Sequence, residues 1–309
     1  MTVNPTMILT AAVLAVVLAL GSGWVTRRLL LLVAPRRLAA VFATLPITAA
    51  FGLLIVGIYI FVALFAPVLA PFAEREIVGT QFMPWDDTFI LGTDSLGRDL
   101  LSRLIYGARN TVGIAFLITL LAFLVGATLG MLAATVGGWL DEALSRIVDV
   151  LMAIPSLIFA LLLLTILGTS IFTLIVVIAA IDATRVFRLA RAVAQDVVVM
   201  DYIEAARLRG EKLPRIIFRE ILPNTMAPLV AEFGLRFCFA FLMISALSFL
   251  GVGIQPPTAD WGSMVRENAA LITFGEVTPL LPAIAIALLT VAVNFVVDWQ
   301  LHRASGLKD

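Results

Sequence analysis

Apolar residues in this chain come in long runs, and the polar residues collect between them. The runs cover about residues 7–25, 45–71, 111–136, 146–168, 171–190, 225–252 and 278–298. A helix needs about 20 apolar residues to cross a bilayer, so each run reads as a membrane-crossing helix, with Pro155 interrupting the fourth. The short-period polarity alternation of an outer-membrane barrel strand is not the pattern seen. The expected fold is all-α, a polytopic helical membrane protein.

Composition agrees with this pattern. Of 309 residues, 61% are hydrophobic and 14% are charged, whereas a soluble domain is about a quarter charged. The formal net charge is zero, which gives no electrostatic reason for a nucleic-acid partner. Cys238 is the only cysteine and His302 the only histidine. Cys238 reads as a small buried residue of an apolar run. A His/Cys metal site and a His-dependent triad are both improbable on this inventory, so no metal and no catalytic residue is expected.

Charge sets the expected topology. The first run has no basic residue before it, and Arg27, Arg28, Arg36 and Arg37 follow it. A cleavable signal carries its positive charge in front, so the run reads as an uncleaved span with the N-terminus outside. The small residues at 19–21 leave a cleaved leader as the rival reading. With those arginines in the cytoplasm, regions 26–44, 137–146, 185–224 and 299–309 lie inside and hold most of the 21 Lys and Arg residues, as the positive-inside rule requires. Regions 72–110 and 253–277 lie outside, and the C-terminus is cytoplasmic. No repeat or low-complexity linker divides the chain. Residues 45–309 are read as one membrane domain, with residues 1–44 as an extra N-terminal span and basic connector. Gly126 to Gly130 has the spacing of small residues that lets helix backbones approach.

The stretch DYIEAARLRGEKLPRIIFREILPN, residues 201–224, is crowded with charge between two apolar runs. Asp201 and Glu204 have capping-box spacing, residues 202–209 make about two turns, and Gly210 falls where a left-handed terminating residue belongs. Pro214 suits the start of a second helix. In that helix Ile217 with Ile221, and Phe218 with Leu222, make an apolar face. Pro223 marks entry into the next span. One reading is a basic loop that sets topology and touches anionic lipid. The other is a docking element for a soluble partner, with Ala205 and Ala206 permitting close contact within a charged rim.

The stretch resembles the EAA loop of permease subunits in bacterial ATP-binding-cassette importers. Glu204, Ala205, Ala206, Gly210, Leu222 and Pro223 match that pattern, while Glu220 stands where the pattern has Ile. Two further stretches, LGTDSLGRDLLSRLIYGARN at 91–110 and ALSFLGVGIQPPTADWGSM at 246–264, are similar to the dipeptide, oligopeptide and nickel branch, with Ile244 where many members carry Glu. The resemblance implies a type I importer permease core of six spans, which the extra N-terminal span precedes. It implies half of a translocation pore in the bacterial inner membrane. A second permease subunit, two ATP-binding subunits and an extracytoplasmic substrate-binding protein would be its partners, beside membrane lipid. The loop, taken over about residues 191–224 and with Arg207 among its contact residues, would lie in a groove of the ATPase and transmit its closure to the spans. Family frequency points to di- or oligopeptide as substrate. The extra span is read as packing on the flank of the partner permease. Lys212 and Lys308 lack the glycines of a phosphate loop before them, so ATP and Mg belong to the partner ATPase and this chain is no enzyme.

Other candidates follow from position. Residues 98–105 pattern as an interfacial helix that Asp94 would cap. Arg98 and Asp99 on it, and Asp260 and Trp261 beyond Pro256 and Pro257, are candidate contacts for the binding protein, with membrane anchoring the simpler reading. Ionisable residues in or near spans are functional suspects, here Asp149, Asp182, Glu232, Arg236 and Asp298. Glu232 and Arg236 are an i,i+4 pair and Asp182 and Arg185 an i,i+3 pair, either structural or lining the pore. Two rivals compete with the importer reading. One is a self-sufficient secondary transporter or channel, whose paired broken helices are not evident. The other is an intramembrane enzyme, whose sequence motifs are missing.

Overall fold

The computed structural model describes residues 5–33, 35, 41–42 and 44–305. Arg36, Arg37 and Lys308 lie outside the described residues. The described chain is helical: α1 (Pro5–Val33), α2 (Ile47–Leu69), α3 (Leu100–Gly107), α4 (Gly113–Val136), α5 (Gly138–Ala153), α6 (Ser156–Leu167), α7 (Ile171–Val198), α8 (Asp201–Leu208), α9 (Leu222–Phe249), α10 (Trp261–Asn268) and α11 (Leu280–Ser305). Among the described residues, five helical runs are long and apolar enough to cross a membrane: Val13–Leu32, Ile47–Leu69, Leu100–Val136, Leu213–Phe249 and Leu280–Arg303.

Two of the seven expected spans take another form. The run at 146–168 divides into α5 and α6, which meet at 89° and would count as a sixth span if taken together. Pro155 is the cause. It has no N–H to continue a helix, and it drives the preceding residue out of the helical region; Ile154 is extended at φ −89, ψ 130. The run at 171–190 continues to Val198 as α7. It carries Asp182, Arg185, Arg188 and Arg191 along the way, so it does not qualify by apolarity alone.

The chain forms two compact units, Met1–Asn110 with Met264–Asp309, and Thr111–Ser263. In the first, α1 packs on α2. Gly23 is so close that a Cβ there would lie 2.5 Å from the Ile47 carbonyl oxygen. On the other side of α2, the Tyr59 hydroxyl donates to the Ala285 carbonyl of α11 at 3.0 Å.

The second unit is built on the pair α4 and α7. A Cβ on Gly126 would come within 2.5 Å of the Ala183 carbonyl, and one on Gly130 within 2.6 Å of the Phe187 carbonyl. The small-residue spacing seen in the sequence is therefore the seam of this pair. A turn with Gly137 at φ +68 and Gly138 at φ +59 leads from α4 into α5. Arg191 of α7 then grips Asp141 of α5 through both carboxylate oxygens, with Nη2 to Oδ2 at 2.6 Å. A paired fork of this kind fixes orientation as well as distance.

Candidate functional site

The charged loop leaves α7 at Val198 and forms α8 at once. Met200, extended at φ −77, ψ 143, is the residue before the helix. Its carbonyl accepts from the N–H groups of Ile203 at 2.9 Å and Glu204 at 3.4 Å. The expected cap by Asp201 is not made, because no side-chain cap hydrogen bond forms at this end. A capping side chain needs a non-helical backbone to reach the free N–H groups, and Asp201 is already helical. It and Glu204 sit in the first turn, where the positive end of the helix dipole favours acids.

The far end of α8 follows the sequence reading. Gly210 is left-handed at φ +74. Its N–H donates to the Arg207 carbonyl at 2.9 Å, and the Glu211 N–H reaches back to the Ala206 carbonyl at 3.2 Å. This is the two-bond closure of a helix by a left-handed glycine. Glu211 then ties the turn together, pairing with Arg209 at 3.1 Å and Arg215 at 3.1 Å.

Beyond the turn, the expected short helix and the next span are one continuous helical run, Leu213–Phe249. Pro214 sits in its first turn. Residues Ile216–Ile221 are wound as a π-helix, and the Leu222 N–H donates to Ile217, five residues back. Proline clashes with the carbonyl four residues before it in a straight α-helix. A widened turn ahead of Pro223 relieves that constraint, and such bulges recur at functional sites.

The loop has two faces. Ile203, Ala206, Ile216, Ile217 and Ile221 are buried in one cluster with Ala127 and Met131 of α4 and Val186, Ala190, Ala194 and Val197 of α7. Each buried isoleucine contributes about 1.5–3 kcal/mol relative to exposure, so the loop is fastened to the seam of the unit. Phe218, expected on the apolar face, points outward instead, because the π turn rotates the register. Arg207 adds a polar tether: its Nη2 donates to the Thr135 carbonyl at 3.0 Å, at the C-terminal end of α4, where the helix dipole welcomes a cation. Ala205 and Leu222 are half-buried, while Glu204, Gly210 and Pro223 are exposed. Sequence reasoning missed the exposed apolar residues beside them, Val199, Tyr202 and above all Leu208, which is 83% exposed. The available signal was an apolar residue inside a charged run with no helical partner. An apolar patch rimmed by charge marks an interaction surface.

The residues expected to touch a binding protein lie inside. Arg98, Asp99, Asp260 and Trp261 are all buried, so they brace loops and do not present their own side chains. Asp99, and not Asp94, caps α3, accepting from the Ser102 N–H at 2.7 Å and the Ser102 hydroxyl at 2.6 Å. Asp94 serves as the hub of a buried ion cluster. It pairs with Arg98 at 2.7 Å and Arg103 at 3.2 Å, and the same two arginines face Glu267 at 3.3 and 3.6 Å. Two acids and two bases compensate one another, which buried charge requires.

In the second unit, the Asp260 carboxylate accepts from the Thr111 hydroxyl at 2.9 Å and the Ser263 N–H at 2.8 Å. Burial pushes the Asp260 carboxyl above its usual range, while hydrogen bonds from Ser263, Ser248 and Thr111 oppose the rise. Trp261, expected as an interface aromatic, meets Phe241 edge-on with centroids 6.0 Å apart.

The two ion pairs suspected in the spans are one cluster. Arg236 of α9 binds Glu232 at 2.7 Å and also faces Asp182 of α7 at 3.8 Å, and Asp182 faces Arg185 at 3.6 Å. Asp149 and Asp298 are exposed.

Over residues 126–304 the chain matches the family described as the binding-protein-dependent transport system inner membrane component. It is similar to the dipeptide transport system permease protein of Alkalihalophilus pseudofirmus, 35% identical over 264 residues, which are 84% of this chain and 83% of the relative. The di/tripeptide transport system permease protein of Pseudomonas aeruginosa is 37% identical over 269 residues, 84% of this chain and 85% of its own. The glutathione transport system permease protein of Pectobacterium atrosepticum is 34% identical over 219 residues, with 71% and 70% covered. With several apolar helices long enough to cross a bilayer, the chain belongs to this family, as a permease subunit of the dipeptide and oligopeptide branch of bacterial ABC importers.

Proposed function

We propose that the chain forms half of the translocation pore of an ATP-driven importer of di- or oligopeptides, and that residues 199–223 couple it to cytoplasmic ATPases. The observation that carries the reading is the division of the loop into two faces. One is fastened to α4 and α7 by buried isoleucines. The other offers Glu204, Leu208 and Tyr202 to solvent. A rigid base with an open, mixed apolar and charged surface is what transmission of force between subunits requires. A loop serving only as a topological anchor needs neither a π-wound root nor exposed leucine.

The partners are a second permease subunit, two ATP-binding subunits that hold ATP and Mg, and an extracytoplasmic substrate-binding protein. The distribution of Lys and Arg supports a cytoplasmic loop and C-terminus and an N-terminus outside. The names of the relatives, all peptide or glutathione permeases, favour a peptide substrate.

A photo-crosslinking residue at Leu208, in the complex purified from native membranes, tests the reading. A crosslink to a Walker-type ATPase is expected. Crosslinks to lipid alone would remove the coupling role.

A further inference from the structure

We infer that a pocket on the outer side of the first unit, formed by residues from 82–100 and 271–278, takes an apolar side chain flanked by lysine or arginine on the substrate-binding protein. The inference rests on the importer reading.

The pocket is built in advance. Its volume is about 310 Å³, and Phe82, Met83, Trp85, Leu91, Leu271 and Val277 are among the residues that line it. Ligand sites run from about 300 to about 1,000 Å³, so this one is small and suits a side chain inserted from another surface. Phe82 is left-handed at φ +55, a true outlier for a bulky residue. Such a backbone persists only where its surroundings fix it, and it gathers at ligand clamps. The Phe82 N–H donates to the Asp94 carbonyl at 3.1 Å, the Met83 N–H to the Thr93 hydroxyl at 2.8 Å, and the Thr93 N–H to the Met83 carbonyl at 3.2 Å. Asp94 is in turn the hub of the buried ion cluster. Arg98 and Asp99, expected to meet the binding protein themselves, brace this wall instead. The Arg98 N–H donates to the Asp94 carboxylate at 3.0 Å, and Asp99 bridges to Thr93 through the backbone.

The surface around the pocket carries charge of one sign. In segments 79–93 and 271–278 the charged residues are Asp86, Asp87 and Glu276, with no lysine, arginine or histidine. All three acids are exposed, and so are the pocket residues Phe82, Trp85 and Val277. An apolar patch rimmed by charge marks an interaction surface. A lipid interface is anchored by aromatics together with basic residues, and these two segments have none. Carboxylates attract a basic edge and repel an acidic one, which steers encounter and fixes register. A side chain seated in an aromatic-walled pocket is the form that the strongest contacts of an interface take. Both segments lie in or beside regions 72–110 and 253–277, which the distribution of Lys and Arg places outside, on the side from which the binding protein arrives.

The test uses the assembled complex in nanodiscs with its purified binding protein, and reads ATP hydrolysis against binding-protein concentration. A variant carrying both Asp87→Lys and Glu276→Lys, at exposed positions, should raise the half-saturating concentration at least about tenfold. It should also invert the salt dependence: added salt weakens stimulation of the unsubstituted complex and strengthens that of the variant. Misfolding would not give that inversion. Trp85→Ala should raise half-saturation about tenfold as well and keep the original salt dependence. A photo-crosslinking residue at Val277 should attach to the binding protein. Half-saturation unmoved in either variant, or Val277 crosslinks to lipid or to another subunit alone, would overturn the site while leaving the importer reading intact. An unsubstituted complex that its binding protein does not stimulate would overturn the importer reading, and the named partner with it.

Discussion

Residues 92–103 and residues 199–222 are charged at about one position in three, yet the first segment turns its charge inward and the second turns it outward. In the first, Asp94, Arg98, Asp99 and Arg103 are all buried, and Glu267 completes the compensation from far along the chain. In the second, isoleucines go inside and Glu204, Arg209 and Arg219 stay out. The difference lies in what each segment is fastened by. Ion pairs hold the first and depend on every partner being present. Apolar burial holds the second and leaves its polar side free for another molecule. Density of charge alone does not reveal a contact surface; the spacing of the apolar residues among the charges does.

The largest effect is expected where a buried partner is removed. Asp94→Ala strands two guanidiniums and should destabilise the protein by about 3–5 kcal/mol, seen as a lowered thermal midpoint in detergent. A loss below about 1 kcal/mol would mean that water already serves the cluster. Next comes the apolar anchor. Ile221→Ala should cost about 2–4 kcal/mol, while Leu208→Ala, on the open face, should stay within about 0.5 kcal/mol and weaken ATPase association instead. Equal effects from the two would erase the distinction between the faces. Gly210→Ala, forced into a left-handed backbone, should cost about 1 kcal/mol and loosen the protease protection of residues 207–213.

Asp260 extends the comparison to pH. Its folded carboxyl is raised by burial, so between the usual carboxylate pKa and the raised one the folded protein holds a proton that the unfolded chain has released. Stability from this group is greatest at the acid end of that window and declines as pH rises through it. Midpoints measured across the acid range should show this slope, and Asp260→Asn should flatten it.

The sequence displayed some of this plainly. Gly126 and Gly130 announced a close helix contact, Gly210 a helix end, and Pro155 a break, because each property is local to the backbone. The inward turn of Arg98 and Asp99 could not be seen, since the Glu267 that joins Arg98 lies 169 residues away. Asp182 with Arg185 and Glu232 with Arg236 were legible as separate helical pairs. Their union needed α7 beside α9, a tertiary fact. The π turn was hidden for another reason: Pro223 signals an irregularity but not whether the chain breaks, bends or widens there.

The central claim is that the open face of α8 carries the ATPase. Glu204→Arg reverses a charge on that face without touching the buried isoleucines. The account predicts that the variant inserts and unfolds like the unsubstituted protein but comes out of gentle detergent without its ATPase. A variant that retains the ATPase in full, and hydrolyses ATP on stimulation by the binding protein as before, would contradict it.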